Sequence, residues 1–100
     1  MNRQEVKFNT ELTDYFATLS NEELVDYINC EAMNCGSCNI ESLRELCRRA
    51  GLTNDFYYYK DQLDFVAITK KETQEYWDKL INVCYKSLRV LGYNPNNYAW

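Results

Sequence analysis

Residues 56–68 have the sequence Phe-Tyr-Tyr-Tyr-Lys-Asp-Gln-Leu-Asp-Phe-Val-Ala-Ile, and this stretch decides the fold class that the sequence predicts. Both of its ends are rich in aromatic and β-branched residues, which favour strands. Residues 60–62 between them have the length and polarity of a hairpin connection. The sequence therefore predicts a short β-hairpin, with strands at residues 56–59 and 63–68.

Amphipathic helices are predicted on both sides of this hairpin. Thr10 is a suitable N-cap for a first helix, and Ser20 with Glu23 forms a capping box that opens a second helix, ending at about residue 29. A third helix is predicted over residues 40–50, with Gly51 as its stop. A fourth is predicted from a Thr73 cap to about residue 91, with Gly92 as its stop. Because two strands alone are marginally stable, the helices must cover the hairpin. Residues 1–100 are thus predicted to form a single α+β domain.

Composition excludes several classes of protein. The chain has 100 residues, 46% of them hydrophobic and 26% charged, which is ordinary for a globular domain and argues against disorder. It contains no His, so Ser-His-Asp and Cys-His catalysis and imidazole acid–base chemistry are excluded. No apolar run is long enough to span a bilayer, and residues 1–5 do not begin a secretory signal. A cytoplasmic location is expected, in the host cell if a phage encodes the chain.

Four of the five cysteines fall within 18 residues, which predicts a metal site. In Cys35-Gly-Ser-Cys38, the two-residue gap lets a tight turn bring both thiolates to one ion. Cys30 and Cys47 would approach from the flanking helices, so the predicted ligands of a structural Zn²⁺ are Cys30, Cys35, Cys38 and Cys47. Four thiolates leave no open coordination position, and such a site would order the Cys-rich loop between helices two and three.

Other interpretations of these cysteines stay open. Cys47 and Cys84 both lie on apolar helix stripes, where a thiol packs as a small hydrophobe. If Cys47 packs in the core, Cys84 or Glu31 could complete the zinc site. Alternatively, Cys35 and Cys38 could form a redox-sensitive dithiol ahead of a helix, and an iron–sulfur cluster is a minor alternative.

Two groups of residues are candidates for binding a partner. Three consecutive tyrosines, Tyr57, Tyr58 and Tyr59, put at least one aromatic side chain outward on a strand, and tyrosine is common at interaction hot spots. Glu22, Glu23 and Asp26 form an acidic run that could engage a basic partner. The competing interpretations are that the tyrosines pack under the last helix and that the acids form a solvated helix face.

The sequence favours neither nucleic-acid binding nor catalysis. The net charge is −4, so most of the surface repels nucleic acid, and the Arg44, Arg48 and Arg49 group is typical of a solvated face. Residues 43–52 resemble the first helix and turn of a helix-turn-helix, but the recognition helix should follow where strand 56–59 is predicted. There is no phosphate-binding glycine loop or nucleophile elbow, so no enzyme is predicted.

The general character of this chain, small, acidic, rich in Asn and Tyr and without catalytic machinery, resembles proteins of phages and mobile elements. It is similar in size and charge to the anti-CRISPR inhibitors of Cas9, some of which bind zinc. The resemblance implies docking on a positively charged nuclease, which would block nucleic-acid loading or a conformational step. The net negative charge and the lack of a long apolar run predict no direct nucleic-acid or membrane binding. The predicted function is a zinc-binding protein that inhibits a host protein by direct binding. The expected target is a CRISPR-Cas nuclease such as Cas9, and the inhibitor would act as a monomer or dimer. The alternatives are the Cys35/Cys38 redox protein and a zinc-stabilised component of a larger assembly.

Overall fold

The computed structural model describes residues 8–35 and 39–98, and these residues form an all-helical domain. Five α-helices are joined by short connections, and a π-helical turn precedes the last of them. Their bounds are α1 Thr10–Thr18, α2 Asn21–Cys35, α3 Ile40–Arg49, α4 Thr53–Asp61, the π-helical turn Gln62–Val66, α5 Lys70–Val90 and a 3-10 turn at Pro95–Asn97.

Side-chain caps fix where the first two helices begin. The Asn9 side chain accepts a hydrogen bond from the Leu12 backbone N–H at 3.1 Å, so α1 is capped one residue earlier than predicted. The predicted capping box is present. The Ser20 N–H donates to Glu23 Oε1 at 2.9 Å and the Glu23 N–H donates to Ser20 Oγ at 3.2 Å.

Helix α2 continues through part of the segment predicted to be a loop. The prediction ended this helix at about residue 29, whereas the structure ends it at Cys35. Residues 30–35 contain neither Gly nor Pro, so nothing in the backbone stops the helix before Gly36. Cys30 therefore lies within α2 and not at its end.

The predicted β-hairpin is wrong, and with it the α+β fold class. Residues 56–59 lie in α4 and residues 62–66 form the π-helical turn, and no strand occurs among residues 8–35 and 39–98. The reason is an ion pair that is buried at residues 60 and 64, where the predicted hairpin would have its connection and second strand. Phe56, Lys60 and Asp64 are buried at intervals of four residues, and Lys60 pairs with Asp64 across one helical turn. This tertiary pattern overrides the strand preference of the tyrosines, which depends strongly on context.

Helix α3 lies at the centre of the fold and packs against each of the other four helices. Its end was predicted correctly: Gly51 has φ +76°, and the Leu52 N–H donates to the Cys47 carbonyl at 2.8 Å. Helix α5 begins earlier than predicted, at a Thr69 cap, and the glycine stop predicted at Gly92 is present with φ +93°. The core contains these apolar side chains: Phe16, Leu24, Val25, Ile28, Leu43, Leu46, Cys47, Phe56, Ala67, Leu80, Val83, Cys84 and Leu88.

None of the helices in the described part of the chain is both long enough and apolar enough to cross a membrane. The longest, α5, has polar residues around much of its surface and carries eight charged side chains among its 21 residues. Its apolar stripe faces α3 and α4, as expected for a helix that covers a core.

Candidate functional site

The four predicted zinc ligands occupy different environments. Cys30 is exposed on α2, whereas Cys47 is fully buried on α3. Cys35 is the last residue of α2, but its side chain, like all of Cys38, lies outside the described part of the structure. Among the described side chains, no three Cys, Asp or Glu residues converge on a point that could hold a metal ion. Zinc binding by Cys30, Cys35, Cys38 and Cys47 remains a prediction, and it would require Cys47 to leave the packing described next.

Cys47 faces Cys84 across the interface between α3 and α5. Their Sγ atoms are 3.9 Å apart, and both side chains are fully buried. The hydrogen bond with Cys84 is the main cause that lowers the pKa of Cys47, and it outweighs the burial that raises this pKa. Cys84 lies in the core, as its place on the apolar stripe of α5 predicts. The sequence predicts that each thiol lies on the apolar side of its own helix. It does not predict their contact, which depends on the packing of two helices that are far apart in the sequence.

The three arginines of α3 organise neighbouring helices. The Arg49 guanidinium donates to the backbone carbonyls of Phe16 at 2.9 Å and Leu19 at 2.6 Å, which ties down the end of α1. The Arg44 guanidinium lies 3.8 Å from the centre of the Phe8 ring and donates to Thr13 Oγ1 at 2.7 Å. Only Arg48 is exposed. The interpretation of this group as a solvated face is therefore wrong for Arg44 and Arg49.

Glu45 holds two of these arginines from a buried position. The Arg48 Nη2 and Arg49 Nε atoms lie 2.6 and 2.7 Å from Glu45 Oε2. Burial raises the pKa of Glu45, but the hydrogen bonds and charges of Arg48 and Arg49 lower it by more, so the net shift is downward from 4.5. The folded chain therefore holds this proton less tightly than the unfolded chain does.

This shift predicts acid sensitivity that depends on Glu45. The carboxylate's stabilisation is complete above pH 4.5 and is lost as the pH falls through the lower folded-state pKa. Glu45→Gln should lower the free energy of unfolding by about 1–3 kcal/mol at neutral pH and flatten its fall below pH 4.5. Urea titrations followed by circular dichroism across this range test it, with the exposed Glu75→Gln of α5 as the control. Equal acid slopes for wild type and Glu45→Gln would contradict it.

The predicted acidic run lies on the exposed surface of α2. Glu22, Glu23 and Asp26 are all exposed. Glu23 also serves the capping box, whose hydrogen bonds lower its pKa. Burial raises the pKa of the Tyr98 hydroxyl, and the nearby charges of Asp26 and Glu22 raise it further. The acidic face of α2 thus lies close to Tyr98.

The three tyrosines of α4 point in different directions, as a helix requires. Tyr57 and Tyr59 are half-buried, and the Tyr57 hydroxyl accepts a hydrogen bond from Arg44 Nη1 at 3.3 Å. Tyr58 is 60% exposed. Of the three predicted partner-binding tyrosines, only Tyr58 presents most of its ring to solvent.

Three further apolar side chains that follow Tyr58 in the chain are also exposed, which the sequence did not indicate. Phe65, Val66 and Ile68 are 57%, 44% and 86% exposed, and with Tyr58 we call them the apolar ridge. Phe65 follows Tyr58 by seven residues, about two helical turns further along the chain, and Val66 and Ile68 follow directly. The helical spacing of these residues could have revealed the ridge, but the predicted strands concealed it.

Helices α3 and α4 have the order of a helix-turn-helix, with Gly51 in the turn. The reason given above for rejecting this motif, a strand at residues 56–59, is therefore wrong. The charge of α4 is a separate obstacle to binding DNA. Its one cation, Lys60, is buried against Asp64, whereas Asp55 and Asp61 are exposed. A recognition helix that presents two carboxylates and no cation is poorly suited to DNA phosphates.

Comparisons with known protein families, with curated protein sequences and with solved structures find no match to this chain. The structural features described above are therefore the basis for proposing a function. They comprise a buried thiol pair, an acidic helix face and an apolar ridge.

Proposed function

We propose that this chain is a non-catalytic binding protein that docks on another protein through its apolar ridge. The exposure of Phe65 and Ile68 is the observation that supports this proposal most directly. Residues 8–35 and 39–98 bury thirteen apolar side chains in the core and nevertheless leave these neighbouring large ones in solvent. Adjacent exposed apolar residues with polar surroundings are typical of protein interaction sites.

The ridge has the chemistry of an interaction hot spot. Tyr58 and Phe65 supply rigid aromatic area, and Val66 and Ile68 add aliphatic area beside it. Asp61 and Lys70, both exposed, lie in the same part of the chain and would form a polar rim. The acidic face of α2, with Glu22 and Asp26, favours a partner that carries positive charge.

The resemblance to anti-CRISPR inhibitors makes Cas9 the first partner to test. Docking on its positively charged surface would block nucleic-acid loading or a conformational step, and it would take place in the cytoplasm of a bacterial host. This identity of the partner is part of the proposal and rests on the general character of the sequence.

Affinity capture with matched variants tests the proposal. The immobilised chain is exposed to a bacterial lysate, with and without added Cas9 ribonucleoprotein. Phe65→Ser with Ile68→Ser should reduce retention of the bound protein at least about tenfold, because each substitution removes a hot-spot side chain. Val90→Ser, which changes a residue of α5 that is also 57% exposed, should leave retention unchanged.

The possible outcomes distinguish the parts of the proposal. Retention of Cas9 that depends on the ridge supports the inhibitor function, and ridge-dependent retention of a different protein removes Cas9 only. If the double variant and Val90→Ser retain equal amounts of every protein, the ridge is not the docking surface.

A further inference from the structure

The facing thiols of Cys47 and Cys84 lie where a covalent cross-link can form. We infer that these two residues are a disulfide-forming site that a hydroperoxide oxidises, linking α3 to α5. The inference is independent of the proposed binding function, and it differs from a dithiol at Cys35 and Cys38. It rests on the position of the two sulfur atoms in the core.

The distance between the sulfurs is short enough for a small rearrangement to join them. A disulfide has an S–S length of about 2.05 Å, so the Sγ atoms, now 3.9 Å apart, must approach by about 2 Å. Helices α3 and α5 already pack directly against each other. Rotation of the two short side chains, with a slight shift of one helix, can supply this approach.

The reaction balances with a hydroperoxide as the only oxidant. One cysteine loses its proton, and its thiolate sulfur attacks an oxygen of hydrogen peroxide. The O–O bond breaks, a sulfenic acid forms, and the other oxygen leaves as hydroxide, which takes up the proton that the thiol lost and becomes water. The second sulfur then attacks the sulfenic sulfur, the S–O bond breaks, and a second water carries away the remaining proton. Two thiols lose two electrons in total, and hydrogen peroxide is reduced to two waters.

A groove lined by the chain neighbour of Cys84 is the route that we infer for a small oxidant. This groove, of about 310 Å³, lies between α4 and α5 and is lined by Asp55, Tyr59, Lys79, Asn82, Val83 and Lys86. Val83 directly precedes Cys84, and the Asp55 charge is close enough to act on the Cys47 thiol. Slight opening of α4 from α5 would therefore admit hydrogen peroxide to sulfurs that are fully buried in the closed structure.

The cross-link should stabilise the fold. It joins residues 37 positions apart, and closing a loop of this length restricts the unfolded chain strongly. The thermal midpoint of the oxidised protein should rise by roughly 10 °C or more above that of the reduced protein.

The test uses a variant in which Cys47 and Cys84 are the remaining cysteines. Cys30→Ser/Cys35→Ser/Cys38→Ser is treated with hydrogen peroxide under native conditions, with a chelator present, and its intact mass is measured. The expected result is the loss of two hydrogens, restored by dithiothreitol, and a higher thermal midpoint. Adding Cys47→Ala should abolish this loss and leave only oxygen adducts.

A second measurement covers the case in which the triple variant fails to fold. Native wild-type chain is oxidised in the same way and digested, and the linked peptides are identified by mass spectrometry. A peptide joining Cys47 to Cys84 supports the inference. Thiols that stay unlinked, a link between Cys35 and Cys38 alone, or a Cys47–Cys84 link that forms only in denaturant would each overturn it.

Discussion

Asp64→Ala is expected to lower the free energy of unfolding by about 3–5 kcal/mol, because it removes a buried carboxylate that pairs with a buried ammonium. The Lys60 Nζ atom lies 2.5 Å from Asp64 Oδ2, and both side chains are almost fully buried. The same ammonium lies 4.9 Å from the centre of the Phe8 ring, an interaction much weaker than the ion pair. For a domain whose total stability is of the order of 5–15 kcal/mol, this loss is large.

Two further variants separate the effect of the ion pair from that of the helix. Asp61→Ala removes an exposed carboxylate from the same segment and should change stability by no more than about 0.5 kcal/mol. Lys60→Met with Asp64→Leu replaces the pair by apolar groups and should recover most of what Asp64→Ala loses. Urea unfolding followed by far-UV circular dichroism measures all three. A loss for Asp64→Ala no greater than that for Asp61→Ala would show that the pair is not buried as described.

The sequence was sufficient where a short-range signal decides the structure. The Ser20–Glu23 capping box and the glycine stops at Gly51 and Gly92 depend on residues within one helical turn of each other, and all three are present. The apolar stripes predicted helices around residues 10–19, 40–50 and 73–91 for the same reason. Where the signal was local, the boundaries differ by only a few residues.

The sequence was insufficient where distant contacts decide the structure. Residues 56–68 have strong strand preferences, but Lys60 and Asp64 form a buried ion pair across one turn of a continuous helix, where the predicted hairpin would place an exposed connection at residues 60–62. A buried lysine carries no sequence signature until its partner and its burial are known. For this reason both the fold class and the exposure of the apolar ridge were missed.

The candidate sites likewise depend on contacts between residues that are far apart in the sequence. Cys47 and Cys84 were each placed on an apolar stripe, yet their contact links residues 37 positions apart and required the packing of α3 on α5. Arg44 and Arg49 looked like members of a solvated cluster, but both donate hydrogen bonds to groups about 30 residues away, in α1 or at its C-terminal end. Single-sequence patterns contain no information about which helices become neighbours.

Phe56→Ala and Tyr58→Ala should have very different effects, and this difference tests the helical assignment of α4 directly. In a strand, residues 56 and 58 point to the same face, so the two substitutions would have similar costs. In α4 they point to different sides: Phe56 is fully buried and its ring centre is 6.3 Å from that of Phe8, whereas Tyr58 is mostly exposed. Phe56→Ala should therefore cost about 3–5 kcal/mol and Tyr58→Ala less than about 1 kcal/mol.

Chemical denaturation of both variants supplies the measurement, with far-UV circular dichroism confirming that each keeps its native helix content. Tyr58 contacts the Tyr59 ring edge-on at 5.1 Å, so a small loss for Tyr58→Ala is compatible with its exposed position. Losses of equal size for the two variants would favour the strand prediction over α4. Because the apolar ridge exists only if Tyr58 and Phe65 lie on the outer side of a helix, that result would also remove the proposed docking surface.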